Sequence, residues 1–231
     1  MRPHSKPSIA AISRTSKTDG LTLIECLVAI ALIGISTAVI APVMVFSVAT
    51  RVQSQKAEQA IQVAQGEVEK IRLLAERGGD YSTELASYPI TSTASVASTL
   101  TPTSASTSLD STTTNVAKLV NVDADADSEF AVQVFRTAGV QPAGSPVPIA
   151  FELGVRVYDS RAVRENSSSL STEAAGLSFT SGEGERGTRP LAVIYTDIFQ
   201  GDRDGALCEY WKYVSTPSGS TASTAGIEDC T

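Results

Sequence analysis

The chain has 231 residues, a formal net charge of −7, 42% hydrophobic residues and a single histidine. This length is enough for one or two domains with an ordinary core, and the apolar content excludes a fully disordered chain. The acidic balance argues against general nucleic-acid binding, because such a surface neutralises no phosphates. One histidine leaves little for general-base catalysis or metal ligation.

The first predicted element is a membrane-spanning helix over residues 21–48, whose only charged residue is Glu25. About 20 apolar residues suffice to cross a bilayer, so this run is long enough. The stretch before it carries four basic residues, Arg2, Lys6, Arg14 and Lys17, against one acidic residue, Asp19. Basic residues keep their end of a span in the cytoplasm, which predicts a C-terminal portion on the outer side. A carboxylate inside such a run is costly unless it is paired, so we expect Glu25 to be functional.

The junction Asp19-Gly20-Leu21-Thr22-Leu23-Ile24-Glu25 resembles the class III signal of type IV prepilins. In that family a prepilin peptidase cuts on the cytoplasmic side, after the glycine, and methylates the new amino terminus. The resemblance implies a leader of residues 1–20, cleavage between Gly20 and Leu21, and an N-methylated Leu21, where the family usually has Phe. It also implies an assembly role for Glu25, whose carboxylate can neutralise the amino terminus of a neighbouring subunit.

Two further residues extend the likeness along the span. Gly34 and Pro42 fall where pilins often carry a glycine and a kinking proline. Proline removes an intrahelical hydrogen bond, so we expect a helix kink near Pro42.

The helix is predicted to continue as an amphipathic half over residues 49–77, giving one helix over residues 21–77. Apolar residues recur there at spacings of three and four, at Ile61, Ala64, Val68, Ile71 and Ala75, which indicates one packing face. Four charged residues lie off this stripe and are expected to be solvated: Glu67, Glu69, Lys70 and Arg72. Gly78-Gly79 is a typical helix stop.

Three segments narrow the resemblance: residues 23–30, 51–72 and 191–196 are similar to the cyanobacterial hormogonium polysaccharide secretion pseudopilins. This implies a pseudopilin of a type IV pilus-like, type II secretion-like apparatus that assists polysaccharide secretion and gliding motility. Its partners would be prepilin peptidase, other pilins or pseudopilins and an inner-membrane assembly platform. It would be a single-pass inner-membrane protein with a cytoplasmic N-terminus and a periplasmic head, assembled into a pilus or pseudopilus. Two alternatives stay open: a minor type IV pilin that primes or decorates a motility pilus, and an unprocessed, membrane-anchored binding protein.

Residues 78–231 are predicted to form the head, an α+β, pilin-like arrangement in which the long helix packs on a small antiparallel sheet with long loops. Runs rich in Val, Ile, Phe and Tyr predict strands at Phe130–Phe135, Ile149–Tyr158 and Leu191–Phe199. Loops are expected at 138–148 and 160–189. Residues 91–115 hold 16 Ser or Thr in 25 positions, so they are predicted to be a flexible loop that buries too little apolar area to become ordered.

Alternating carboxylates at Asp123, Asp125 and Asp127 are compatible with a calcium ion, and some relatives of this secretion class bind calcium in the head. Ser128 stands where an EF-hand loop needs glycine and Val134 where it needs the bidentate glutamate. The pattern therefore favours a solvated acidic loop over a metal site.

The three cysteines are expected in two different environments, the membrane and the periplasm. Cys26 lies inside the span and is expected to act as a small apolar residue. Cys208 and Cys230 would lie in the oxidising periplasm, where pilins often carry a disulfide near the C-terminus, and a bridge would hold the tail on the head. The sequence does not give the Cα separation that a bridge requires.

We expect no enzyme activity and no cofactor. Cleavage after Gly20 removes His4, the one histidine, which excludes Ser-His-Asp and Cys-His catalysis and His-ligated zinc. No P-loop is present, so the chain is not itself an assembly ATPase. A glycan hydrolase using paired carboxylates is the one enzymatic alternative left open.

Overall fold

The computed structural model describes residues 20, 22–93, 95–123, 127–141, 145–176 and 185–200. Within these ranges the main helices and strands follow in the order α1 Leu23–Arg77, α2 Ser82–Leu85, β1 Ser104–Ser106, β2 Val116–Val120, β3 Phe130–Arg136, β4 Ala150–Asp159, α3 Ser160–Glu165 and β5 Ala192–Phe199. Short 3₁₀ turns lie at Val96–Ser98 and Ser167–Ser169. The chain divides into two units, residues 1–49 and 50–231, which are described separately.

The second unit contains the amphipathic half of α1, which packs one face on the sheet. Six residues of α1 at spacings of three and four are buried: Ala57, Ala60, Ala64, Val68, Ile71 and Ala75. The predicted stripe is confirmed from Ala64 onward, but it was wrong for Ile61, which is 41% exposed. Successive helical residues are rotated by about 100°, so with Ala60 facing the sheet its neighbour Ile61 is turned away. The helix ends at Arg77, and Gly78 and Gly79 follow with φ of 67° and 77°, as the predicted stop requires.

Glu67 corrects the prediction that all four charged residues off the stripe are solvated. Its side chain is only 14% exposed, and its Oε1 lies 3.8 Å from Lys118 Nζ on β2. The helix face that contacts the sheet is wider than the apolar stripe, so charged residues at the edge of the stripe also lie against the sheet. A lysine on the neighbouring strand compensates the carboxylate there.

The sheet has the order β1-β2-β3-β4-β5. β1 and β2 are parallel, and the other neighbouring strands are antiparallel. The three predicted strands are confirmed to within one residue at each end as β3, β4 and β5. β1 and β2 were not predicted, because both are short. β1 lies within the Ser/Thr-rich segment and β2 directly follows it. The five strands and α1 together form the predicted α+β, pilin-like architecture.

The two faces of the sheet are covered by different elements. On the α1 side, Val132, Val134, Val155 and Val157 pack with the buried stripe of α1 in the main core. On the opposite side, Ala117, Ala131, Tyr158 and Val163 form a smaller cluster. Because both faces are covered, every residue of β3 is buried.

α3 contradicts the prediction that residues 160–189 are all loop. The Asp159 side chain accepts a hydrogen bond from Arg161 N at 3.0 Å and caps the helix. Ala162 and Val163 are buried, and Val163 packs in the smaller cluster on the sheet. The helix has only six residues, so its stability comes from this packing, and its sequence carries only a weak periodic signal.

The Ser/Thr-rich segment 91–115 also differs from its prediction, because part of it is ordered against the sheet. Val96 and Thr99 are buried, and Ser104–Ser106 form β1 beside β2. We name three side chains on the facing surface of the sheet the polar clamp: Gln133 on β3, Arg156 on β4 and Tyr195 on β5.

The polar clamp holds this segment by its backbone. Arg156 is fully buried and donates to Thr99 O at 2.8 Å and Ala97 O at 3.1 Å. Its Nε donates to Tyr195 Oη at 2.7 Å. Gln133 Nε2 donates to Leu100 O at 2.8 Å and to the carbonyl of residue 114 at 2.7 Å. A segment with few apolar side chains is thus held by hydrogen bonds to its carbonyl groups, of which those from Arg156 are charge-assisted. Composition does not reveal this source of order.

Candidate processing and assembly site

The start of α1 is capped by Thr22, two residues after the predicted cleavage position. Glu25 N lies 3.3 Å from Thr22 Oγ1 and 3.0 Å from Thr22 O, and donates to both. The helix therefore begins at Leu23 with Thr22 as its N-cap. Sequence reasoning missed this role, although Thr22 and Glu25 have the Thr-x-x-Glu spacing of a capping box. Gly20 is exposed, and Leu21 lies outside the described residues.

Glu25 lies in the first turn of α1 and is exposed. A carboxylate at this end of a helix is stabilised by the unpaired amide groups and the positive end of the helix dipole. In the sequence Glu25 lies four residues after Leu21, the residue that cleavage after Gly20 would make the amino terminus. The site thus combines a small exposed residue, a capped helix start and an acidic group within six residues of sequence, 20–25.

The apolar part of α1 presents its large side chains outward in the first unit. Residues 23–49 are all exposed. Fifteen large apolar residues among them are 50–84% exposed: Leu23, Ile24, Leu27, Val28, Ile30, Leu32, Ile33, Ile35, Val39, Ile40, Val43, Met44, Val45, Phe46 and Val48. Cys26 is an exposed free cysteine on the same helix. α1 is long and apolar enough to cross a membrane. A soluble protein does not leave such a surface in water, so it requires a lipid or protein environment.

Gly34 and Pro42 both lie inside α1, which is a single helix from Leu23 to Arg77. Pro42 has no amide hydrogen to donate to the carbonyl of residue 38. Two hydroxyl groups before Pro42, Ser36 Oγ and Thr37 Oγ1, donate 2.8 Å hydrogen bonds to the carbonyl groups one turn earlier, Leu32 O and Ile33 O. These bonds satisfy both hydroxyl groups inside an apolar helix. The kink at Pro42 stays a prediction.

Residues 15–41 match the prokaryotic N-terminal methylation motif. The chain therefore carries a type IV pilin-like signal. The N-terminal methylation motif spans Gly20, the capped start of α1, Glu25 and Gly34, and it ends one residue before Pro42. Proteins that carry this motif are processed by prepilin peptidase and assemble with other pilins in the membrane, as structural rather than catalytic components. The motif and the apolar helix together support a membrane-anchored, pilin-like protein.

Comparisons with curated proteins and with solved structures gave no significant match to this chain. The N-terminal methylation motif covers residues 15–41 and does not include the head.

Two sets of predicted head residues fall wholly or partly outside the described part of the chain. Cys208 and Cys230 lie outside it, so their disulfide stays a prediction. Asp125 also lies outside it, whereas Asp123 and Asp127 are exposed. Beside them, Glu129 Oε2 accepts a 2.8 Å hydrogen bond from Val122 N. Across the described residues no group of three or more His, Cys, Asp or Glu side chains is placed to hold a metal ion.

Three ionisable groups of the head have shifted pKa values: Tyr158, Tyr88 and Lys70. Burial raises the pKa of Tyr158 to about 12, and its hydroxyl group donates to Ser171 O at 3.1 Å. Burial also raises the pKa of Tyr88. Interaction with Tyr88 raises the pKa of Lys70, whose Nζ lies 5.9 Å from the centre of the Tyr88 ring. The Lys70–Tyr88 contact joins α1 to the segment that follows it, and the Tyr158–Ser171 bond joins β4 to the segment that follows α3.

Proposed function

We propose that this chain is a type IV pilin-like subunit that prepilin peptidase cuts between Gly20 and Leu21 and methylates on Leu21. The observation that carries the proposal is the N-terminal methylation motif at residues 15–41. Its support from the structure is that the motif coincides with a capped helix start and an exposed apolar helix. The processed chain waits in the inner membrane with its N-terminus on the cytoplasmic side and its head in the periplasm. It then enters a pilus or pseudopilus with other pilins, through the inner-membrane assembly platform.

Glu25 has the assembly role in this proposal. In an apolar environment a lone carboxylate is costly, and an oppositely charged group that approaches it offsets much of that cost. The methylated amino terminus of a neighbouring subunit is such a group. The carboxylate therefore favours insertion of the next subunit at one axial position, which sets the stagger between helices.

Mass spectrometry of the mature amino terminus tests processing. We expect N-methyl-Leu21 as the first residue. Gly20→Val should block the cut, because valine places a branched side chain directly before the bond that the peptidase cleaves. A Cβ at Gly20 meets nothing within 4 Å, and the same holds for Gly66, so Gly66→Val is a control that adds the same bulk to α1 away from the cut. An intact Met1, or a wild-type terminus at any residue other than Leu21, would refute the proposal.

Recovery of the subunit in sheared filaments, or cross-linked to other pilins, tests assembly. Glu25→Gln should be cleaved normally but recovered in filaments at a small fraction of the wild-type amount. Glu58→Gln is the matched control, because Glu58 is also an exposed glutamate on α1 and lies outside the apolar run. Equal loss in both variants, or normal assembly of Glu25→Gln, would show that Glu25 does not have this role.

The finer proposal is a pseudopilin that assists polysaccharide secretion and gliding motility. It is supported by the similarity of residues 23–30, 51–72 and 191–196 to the hormogonium pseudopilins. A deletion strain scored separately for exported polysaccharide and for surface pili tests it. Loss of export with pili retained supports the pseudopilin, whereas loss of pili with export retained would identify a minor type IV pilin. An unprocessed anchored binding protein would leave both unchanged and would keep its leader.

A further inference from the structure

Three arginines around α3 have no carboxylate partner in the described part of the chain. Arg161 and Arg164 lie on α3 and are exposed, and Arg186, in the segment before β5, is half-buried. None of the three makes an ion pair with a described residue. By contrast, Arg72 on α1 pairs with Glu69 at 3.3 Å. We name Arg161, Arg164 and Arg186 the arginine surface.

A hollow of about 280 Å³ opens beside the arginine surface. Its charged lining consists of Lys56, Arg161 and Arg186 with the carboxylates of Asp159 and Glu165. Asp159 already has two partners, because it lies 3.8 Å from Lys56 Nζ and accepts the capping hydrogen bond from Arg161 N. The lining thus holds one more cation than carboxylates, and the hollow has room for an acidic side chain from outside the head.

Two carboxylates elsewhere in the head lie side by side. Glu152 on β4 and Asp197 on β5 are directly opposite each other in the strand register, where like charges are unfavourable. Glu152 Oε2 accepts a hydrogen bond from Val96 N at 3.2 Å, and Asp197 is exposed. Neither forms an ion pair within the described residues. A cation from another molecule would offset the repulsion in this carboxylate pair.

The arginine surface and the carboxylate pair are related by the geometry of β4. Val163 of α3 packs with Tyr158, and Glu152 lies on the same face of β4 as Tyr158 because side chains alternate along a strand. α3 begins directly after β4, whose last residue, Asp159, follows Glu152 by seven positions, or roughly 23 Å of extended strand. Since charges in water are screened beyond about 8 Å, we expect neither charged surface to neutralise the other within one head.

We propose that heads of this chain associate head to tail, with the arginine surface of one molecule on the carboxylate pair of the next. The two surfaces are opposite in charge, and the hollow accepts an acidic side chain. Because the surfaces differ, the contact is heterologous, and such contacts extend a chain of subunits instead of closing a dimer. Complementary charges set partner and register more than affinity. This head contact rests on the proposed assembly into a filament and adds to it the surface that joins neighbouring heads.

Charge reversal in the full chain tests the contact, with two differently tagged copies expressed in one strain and co-precipitated from membranes and sheared filaments. Arg161→Glu/Arg164→Glu and Asp197→Lys should each lower recovery of the second copy at least fivefold. All three substitutions in one chain should restore at least half of the wild-type recovery, since acidic side chains on α3 then face a lysine on β5. Glu84→Lys is the matched control and should keep the wild-type recovery, because Glu84 pairs with Arg77 inside one head.

A zero-length cross-link gives a second readout. Arg164→Lys retains the positive charge and supplies an amine that a carbodiimide can join to the carboxylate of Asp197. When ¹⁴N- and ¹⁵N-labelled copies are combined in membranes, we expect mass spectrometry to find peptides that join position 164 of one copy to Asp197 of the other. Near-ultraviolet circular dichroism of each purified variant checks that its head is folded.

Several results would overturn the head contact. They are wild-type copies that do not co-precipitate, reversed variants that associate like the wild type, equal loss in Glu84→Lys, and no rescue by the combined reversal. Loss with Arg161→Glu/Arg164→Glu but not with Asp197→Lys would also overturn it, and would assign the arginine surface to another anion such as a lipid headgroup. The amino terminus is sequenced in the same strains. If N-methyl-Leu21 and filament recovery persist while the head contact fails, the proposed function stands and only the contact is refuted.

Discussion

Replacing Arg156 with methionine tests whether the polar clamp is what orders the Ser/Thr-rich segment. The guanidinium group is fully buried, and its centre lies 4.9 Å from the Phe135 ring and 5.5 Å from the Tyr195 ring. Methionine retains much of the apolar stem but none of the donors. We expect Arg156→Met to fold, with residues 96–100 detached from the sheet.

The expected magnitude follows from the lost hydrogen bonds. Three acceptors lose a good donor: Ala97 O, Thr99 O and Tyr195 Oη, at 3.1, 2.8 and 2.7 Å. An orphaned buried acceptor costs about 1–3 kcal/mol. The low end of this range applies to each acceptor, because removing the guanidinium group also removes the free-energy cost of burying its charge. The total is about 3 kcal/mol, which for a head of this size lowers the melting temperature by roughly 6–12 °C.

The assay is thermal unfolding of the full chain in detergent, followed by near-ultraviolet circular dichroism, together with amide exchange of residues 96–100. Arg156→Lys should not rescue, because an ammonium group neither stacks between two rings nor reaches acceptors in a planar fork. Arg164, exposed on α3, is the matched control, and Arg164→Met should change stability by less than about 0.5 kcal/mol. A loss below about 1 kcal/mol for Arg156→Met, or full stability of Arg156→Lys, would refute the reasoning.

Two further predictions concern a pair of glycines, on β4 and α1, and the buried Tyr158. A Cβ on Gly154 would lie 2.7 Å from Phe135 Cζ, so Gly154→Ala should destabilise the head by about 1–3 kcal/mol. Gly66→Ala meets nothing within 4 Å and should stabilise α1 by about 0.5–1 kcal/mol, and equal melting temperatures for the two variants would contradict this. Burial raises the pKa of Tyr158 from 10.0 to about 12, so the folded state holds its proton where the unfolded state loses it. Stability should therefore fall as pH rises from 10 to 12, by up to about 2.7 kcal/mol from this group, and Tyr158→Phe should remove that part of the slope in urea titrations at each pH.

Much of the fold could be predicted because the relevant signals are local. The apolar run, the spacing of Ala64, Val68, Ile71 and Ala75, and the Gly78-Gly79 stop predicted α1 and its end. Three β-rich runs predicted β3 to β5. α3 was missed, because a six-residue helix depends on tertiary packing. β1 was missed because its three residues, Ser-Ala-Ser, have no strand preference of their own.

The proposed processing and assembly site is also a matter of local sequence, since the roles proposed for Gly20, Leu21 and Glu25 depend on their order along the chain. Only the cap at Thr22 was overlooked there, and its spacing to Glu25 was visible. The polar clamp is different. Gln133, Arg156 and Tyr195 lie far apart in the sequence and act together only because the β3-β4-β5 register brings them side by side.

The sequence by itself therefore determined the N-terminal signal, the apolar helix and the main strands, because each depends on residues close together in the chain. The tertiary structure alone decided that Glu67 faces Lys118 rather than water. It also decided that a serine- and threonine-rich segment is held on the sheet. Both outcomes depend on which charged side chains the packing of α1 and the sheet places next to each other. Strand register determines these neighbours, and composition does not.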